Sequence, residues 1–195
     1  MGIVGSKEDI DIKPGFLLAL KNNPDGTIIS VGSGFGVTEK KLEDEYNISI
    51  ITIDPLEEKF AKPDDMNLAK LPIYNTCEDF LKDRGLSDNI TMILDWPSPN
   101  EATYGVDAIS LIKPLFLIVR YASCGAAGSF RLQSFLASCG CPHDYIDYTD
   151  FEMDRKYKLV YSSQKVIGSG RGFDGKTLNV VVLKRISSFI IPRNF

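Results

Sequence analysis

The sequence has few of the side chains on which several common kinds of chemistry depend. It contains one histidine, His143, one tryptophan and four cysteines in 195 residues. A single histidine leaves a Ser-His-Asp triad with only one candidate base, and no Gly-x-Ser-x-Gly turn accompanies it, which argues against a hydrolase. Four cysteines do not predict a disulfide framework in a chain of this length, so we expect a reducing intracellular compartment.

Long apolar segments and a basic excess are also missing. No apolar run reaches the roughly eighteen residues of a membrane-spanning helix, and the acid-containing N-terminus lacks the regions of a signal peptide. We therefore expect a soluble, cytoplasmic protein without a membrane partner. The formal net charge of −4 does not support strong capture of nucleic acid, although nucleic acid stays a candidate substrate.

A metal site is suggested by the sequence Cys139-Gly140-Cys141-Pro142-His143. Structural zinc normally needs two separated pairs of ligands. Only Cys77 and Cys124 remain to complete such a set, so we predict no metal site.

The central motif lies at residues 27–36. A short run of β-branched, apolar residues is followed by three alternating glycines, Gly32, Gly34 and Gly36. A charged, helix-favouring segment comes next. Glycine tolerates positive φ and lets the backbone approach a ligand without a Cβ in the way. The N-terminus of the next helix directs its free N–H groups over the loop. The pattern predicts a strand, a tight loop and a helix that together bind a nucleotide or nucleoside.

The spacing of the glycines and a later acid narrow the choice of ligand. A dinucleotide fingerprint needs a third small residue where this chain has Val37. A buried-type strand at residues 47–54 ends in Asp54, about twenty residues after the glycines, where an acid hydrogen-bonds ribose hydroxyls in such folds. The alternative is that Asp54 and Pro55 only end the strand and begin a turn.

A second loop follows another buried-type strand, at residues 89–95. Asp95, Trp96 and Pro97 lie at its carboxyl end, where ligands of open α/β sheets bind. Asp95 is a candidate for hydrogen bonding to a substrate, and Trp96 is a candidate for stacking on a flat group. Alternatively, Asp95 caps the next helix and Trp96 fills an apolar gap.

The C-terminal third predicts a reversal of strand direction. Residues 157–162 and 178–185 are strand-like, and no convincing helix lies between them. A parallel crossover needs about a dozen residues, usually helical, so this pair should be antiparallel. Five strands precede this pair: the three already described and two more, near residues 71–75 and 114–121. We therefore predict an α/β fold with a mostly parallel sheet that ends in an antiparallel pair.

This organisation resembles that of the class I (Rossmann-like) S-adenosylmethionine-dependent methyltransferases. The Gly-x-Gly-x-Gly loop resembles their first motif, and Asp95-Trp96-Pro97 resembles part of their fourth. The resemblance implies a three-layer Rossmann-like methyltransferase fold in a single domain, 1–195. Its expected parts are an N-terminal helix and turn (1–26), a nucleoside-binding core (27–140) and a C-terminal segment with the hairpin (141–195).

The resemblance also implies a cofactor, S-adenosylmethionine, and two groups of site residues. Those that border the cofactor are Ser30, Gly32, Ser33, Gly34, Gly36 and Asp54. Those that face the methyl acceptor, an unidentified amine or hydroxyl of a nucleic acid, protein or small molecule, are Asp95, Trp96 and Pro97.

One departure from the family pattern concerns the start of the loop. The family usually has Asp or Glu two residues before the first glycine, where it helps to fix the loop and the ammonium group of the ligand. This chain has Ser30, which brings no charge. A methyltransferase fold that has lost turnover and serves as a binding or regulatory protein is therefore an alternative.

A nicotinamide-dependent oxidoreductase is a further alternative, which Val37 disfavours. Arg120 and Asp95 also resemble two of the four residues that RNA ribose 2′-O-methyltransferases use.

Overall fold

The computed structural model describes residues 11–56, 63, 65–97, 105–122, 128–142, 156–166 and 177–186. The helices within these ranges are α1 (Lys13–Asn22), α2 (Val37–Tyr46), α3 (Cys77–Arg84), α4 (Val106–Ile112) and α5 (Phe130–Ser138). The strands are β1 (Thr27–Val31), β2 (Ile50–Ile53), β3 (Ile90–Asp95), β4 (Phe116–Ala122), β5 (Tyr157–Val166) and β6 (Thr177–Arg185). None of the helices in these ranges has the length and apolar character needed to cross a bilayer.

The strands form one sheet in the order β2-β1-β3-β4-β6-β5. β1 pairs in parallel with β2 and with β3, and β3 pairs in parallel with β4. β6 lies between β4 and β5 and runs antiparallel to both. The predicted mostly parallel sheet with an antiparallel C-terminal pair is therefore confirmed.

Apolar side chains cover both faces of the sheet, because successive side chains of a strand point to opposite sides. On one face, Ile29 and Met92 belong to a core cluster with buried residues of α3, α4 and α5. On the other face, Ile28 and Ile93 belong to a cluster with buried residues of α1 and α2. This arrangement confirms the predicted three layers, and it explains why the central strands are almost continuously apolar in sequence.

The region between β2 and α3 differs from the prediction. The strand expected near residues 71–75 is reduced to a single parallel bridge between Ile53 and Tyr74. Pro72 has no N–H to donate to a sheet, and Leu71 and Ile73 are exposed, so this segment gains little from pairing. Helical structure in the described part of this region is one 3₁₀ turn at Met66–Leu68. The Gly-rich segment 168–175 and residues 144–155 lie outside the described residues.

Candidate cofactor and acceptor site

The strand order places two loops at one crevice. From β1 the chain passes to β2 on one side and returns to β3 on the other side. In open α/β sheets, ligands bind at the carboxyl ends of the strands where the order reverses in this way. Residues 32–36 follow β1, and residues 96–97 follow β3, which ends at Asp95. The two loops singled out from the sequence therefore flank the crevice.

The three glycines of the loop have left-handed backbone conformations, with φ of 71° at Gly32, 56° at Gly34 and 62° at Gly36. Among the described residues, a Cβ on Gly34 would meet nothing within 4 Å, so this part of the structure leaves the loop open at that point. A Cβ on Gly36 would lie 2.3 Å from the carbonyl oxygen of Lys70. Gly34 thus leaves room for a ligand, whereas Gly36 admits a neighbouring segment of the chain.

Asp54 lies directly after β2 and contacts the glycine loop. Its Oδ2 accepts a hydrogen bond from the backbone N–H of Gly34 over 2.9 Å, and its Oδ1 accepts one from the N–H of Leu56 over 2.7 Å. The side chain is buried. Because each carboxylate oxygen has two lone pairs, Asp54 can hold the loop and still accept a hydrogen bond from a ligand hydroxyl.

Unsatisfied donors and free space around the loop suit a small polar ligand. The Oγ of Ser33 is buried and has no hydrogen-bond partner in the described part of the chain, although buried polar atoms normally have one. Gly36, at the N-cap of α2, provides no side-chain cap for the first N–H groups of that helix. These donors and the open space at Gly34 fit a ligand that carries a carboxylate and hydroxyl groups, as S-adenosylmethionine does.

A buried carboxyl group lies close to this loop at Glu39, in the first turn of α2. The Oγ of Ser30 donates a hydrogen bond to Oε1 of Glu39 over 2.6 Å, and both residues are buried. Burial, and after it the negative charge of Asp95, raise the pKa of Glu39 from 4.5 to a net value of about 7. The hydrogen bonds from Ser30 and from the backbone N–H of Glu39 oppose this rise, as does the positive charge of Arg120.

Glu39 is not among the site residues predicted from the sequence. In sequence it belongs to the charged segment of α2, and an acid in the first turn of a helix is normally explained by the helix dipole or by capping. Its contact with Ser30 joins two residues that are nine positions apart. The one signal in the sequence is that β1 has Ser30 where an acid is expected, while Glu39 is an acid that follows shortly after the glycine loop.

Asp95 and Arg120 form a buried pair across neighbouring strands. They are opposite each other in the register of β3 and β4. Nε and one terminal nitrogen of Arg120 donate to the two carboxylate oxygens of Asp95 over 2.5 and 2.7 Å. The side chains are only 9% and 8% exposed. Two parallel hydrogen bonds fix the carboxylate of Asp95 in position, and its remaining lone pairs can accept from a substrate.

Trp96 and Pro97 continue from Asp95 along the rim of the crevice. Trp96 has a φ of 52°, an uncommon conformation for a bulky residue. Its N–H donates to the carbonyl of Arg120 over 3.1 Å, and the guanidinium of Arg120 lies 5.8 Å from the centre of its ring. Pro97 is buried, and its carbonyl accepts from the N–H of Gly128 over 2.7 Å. These contacts hold the half-buried indole at the end of β3.

The cysteine motif near the end of α5 is only partly within the described residues, because His143 and Cys124 lie outside them. In the described ranges, no three His, Cys, Asp or Glu side chains are grouped so that they could hold a metal ion. Burial raises the pKa of Cys77 to about 12, so in the absence of a bound ion this residue is a thiol at neutral pH.

Comparisons with known proteins gave likenesses at the level of solved structures. No protein-family model and no curated protein sequence matches the chain. A Thermoplasma acidophilum protein is 13% identical, with a TM-score of 0.46 over 90% of this chain and 85% of that one. TYW2 of M. jannaschii, in complex with AdoMet, is 12% identical, with a TM-score of 0.46 over 94% and 79%. A 30S ribosomal A1408 methyltransferase from an uncultured bacterium is 16% identical, with a TM-score of 0.45 over 95% and 100%. By its own sheet order and strand directions, this chain has a class I methyltransferase-like fold.

Proposed function

We propose that the protein is an S-adenosylmethionine-dependent methyltransferase that acts on an amine or a hydroxyl. One observation supports this most strongly. The open glycine loop is hydrogen-bonded to Asp54 and lies across the strand-order reversal from Asp95 and Trp96. A nucleoside ligand and a flat acceptor would therefore meet at the carboxyl ends of β1 and β3.

On the cofactor side, the proposed contacts are those that the loop leaves available. The uncapped N–H groups of α2 bind the carboxylate of the ligand, and Asp54 accepts hydrogen bonds from the ribose hydroxyls. The hydroxyl of Ser33 gains a hydrogen-bond partner, which it lacks among the residues that the structure describes. When bound, S-adenosylmethionine supplies an electrophilic methyl carbon.

On the acceptor side, the contribution of the protein is positioning. Asp95, fixed by Arg120, accepts a hydrogen bond from the N–H or O–H of the acceptor and aims its lone pair at the crevice. The indole of Trp96 stacks on a planar acceptor group. Holding two reactants in line in a crevice that excludes water can supply a large share of a rate acceleration.

Calorimetry with S-adenosylmethionine and S-adenosylhomocysteine tests the proposal. We expect micromolar binding of both ligands, and its loss in Asp54→Ala. Asp107→Ala is the matched control, because Asp107 is an exposed acid on α4 that pairs with Arg131. This variant should bind like the wild type. The absence of binding heat with either ligand would contradict the proposal.

A second candidate is a binding or regulatory protein with the same ligand and no turnover. Two observations favour it: Ser30 replaces the expected acid, and both oxygens of Asp95 already have a partner in Arg120. Incorporation of labelled methyl groups into nucleic acid, protein or small-molecule pools separates the two candidates.

A nicotinamide-dependent oxidoreductase is disfavoured, because the antiparallel direction of β6 differs from the all-parallel sheet of nicotinamide-dependent dehydrogenases. A melting shift with NADH and none with S-adenosylhomocysteine would favour that alternative.

A further inference from the structure

The carboxyl group of Glu39 lacks the partner that a buried acid normally has. Glu39 is 1% exposed, and in the described part of the chain its carboxyl group accepts hydrogen bonds from two neutral donors, the hydroxyl of Ser30 and its own backbone N–H. Acidic side chains are almost never fully buried unless they are paired with a charge. No ion pair of Glu39 occurs among the described residues, so its negative charge is not balanced locally by a cation of its own.

The polar and charged groups around Glu39 come from three neighbouring strands and do not balance its charge. Ser30 contacts it from β1, Asp95 acts on it from β3 and Arg120 acts on it from β4. The guanidinium of Arg120 is hydrogen-bonded to both oxygens of Asp95. Two carboxyl groups therefore share one guanidinium. When Glu39 is ionised, the described residues of this cluster, Glu39, Asp95 and Arg120, have a net negative charge, which the cationic group of a ligand would balance.

The position of Glu39 indicates which cation this is. Glu39 lies in the first turn of α2, and Gly36 at the N-cap provides no side-chain cap for that turn. A helix N-terminus beside a carboxyl group suits the zwitterionic end of an amino acid. The carboxylate of such a ligand would bind at the N-terminus of the helix, and its ammonium group would be directed toward Glu39.

We propose that Glu39 provides the negative charge that binds the ammonium group of S-adenosylmethionine, directly or through one water, in place of an acid at position 30. This assignment rests on the proposed function. It identifies Ser30 as a residue that orients Glu39, and it gives a role to the buried acid in the first turn of α2.

Proton release tests the assignment on the wild-type protein. Because the free protein holds Glu39 partly protonated near pH 6.5, binding of an ammonium group should expel that proton into the buffer. Calorimetry in buffers of different ionisation enthalpy measures this release. We expect a substantial fraction of a proton with S-adenosylhomocysteine and none with 5′-methylthioadenosine, which lacks the amino-acid group. Equal release with the two ligands would overturn the assignment.

A ligand comparison in variants tests it a second time. Glu39→Gln should weaken S-adenosylhomocysteine binding roughly tenfold or more, the size expected for a lost charged hydrogen bond. It should leave methylthioadenosine binding nearly unchanged. Combining it with Ser30→Asp should restore the preference for S-adenosylhomocysteine, because the charge then returns from β1. Thermal melting of each variant checks its folding.

The outcomes separate the assignment from the proposed function. If the wild type binds neither ligand, the proposed function is wrong and the assignment falls with it. If the wild type binds both and Glu39→Gln weakens them equally, or weakens neither, the methyltransferase proposal stands and only the assignment is wrong.

Discussion

The backbone N–H of Gly34 donates a hydrogen bond to Oδ2 of Asp54 over 2.9 Å, which ties the loop after β1 to the end of β2. The glycine motif and the acid are therefore one structural unit and not two independent ligand contacts. Asp54 shapes the loop before any ligand is present. A change at Asp54 should consequently affect the stability of the free protein as well as ligand binding.

We predict that Asp54→Ala lowers the free energy of unfolding by about 1 to 3 kcal/mol, because two backbone N–H groups, those of Gly34 and Leu56, lose their acceptor. Asp54→Asn keeps one acceptor oxygen and should cost less. Urea unfolding of the free proteins measures both effects. An unchanged midpoint in Asp54→Ala would show that the loop does not depend on this carboxylate.

Gly34 and Gly36 have different surroundings, so an alanine substitution should destabilise the protein to a different extent at each position. Gly36→Ala should destabilise the protein by about 3 kcal/mol or more, because a Cβ there would lie 2.3 Å from the carbonyl oxygen of Lys70. Gly34→Ala meets no atom within 4 Å and should cost only about 1 to 2 kcal/mol for its left-handed backbone. Denaturant unfolding of both variants measures the free energy of unfolding. Equal losses in the two variants would contradict the close approach of Lys70 to Gly36.

The buried pair of Asp95 and Arg120 should be much more sensitive than an exposed pair. We expect Arg120→Met to cost about 3 to 5 kcal/mol, since it leaves the carboxylate of Asp95 buried without its cation. Arg131→Met is the control. Its pair with Asp107 is more than half exposed and should contribute no more than about 1 kcal/mol. Similar losses in the two variants, measured by urea unfolding, would argue against a buried ion pair at the crevice.

The raised pKa of Glu39 predicts how stability depends on pH. Between its ordinary value of 4.5 and the folded value of about 7, the folded state binds more protons than the unfolded state. Stability due to this group is fully present below about pH 4.5 and is lost as the pH rises through about 7. The loss amounts to about 3 kcal/mol.

Glu39→Gln isolates this contribution, because it removes the titrating group and keeps the size of the side chain. The difference in unfolding free energy between the variant and the wild type should shift in favour of the variant between pH 5 and pH 8. Unfolding at several pH values measures it. A difference that is constant over this range would show that Glu39 does not titrate there.

The sequence by itself determined the elements that depend on local pattern. The apolar runs predicted the central strands, because a strand covered on both faces needs apolar residues at nearly every position. The lack of a convincing helix between the last two strands predicted their antiparallel pairing, which is confirmed. The strand predicted from the apolar segment near residues 71–75 was wrong. The apolar pattern takes no account of the missing N–H of Pro72, and the segment forms only an isolated bridge.

The tertiary structure decided which polar side chains meet. Asp95 and Arg120 pair because β3 and β4 lie side by side in one particular register, which no local pattern specifies. Glu39 contacts Ser30 because the loop after β1 turns α2 back over the strand, and it is influenced by Asp95 because β3 lies beside β1. Charges interact through space and are strengthened by burial, so their partners follow from strand order and packing rather than from spacing along the chain.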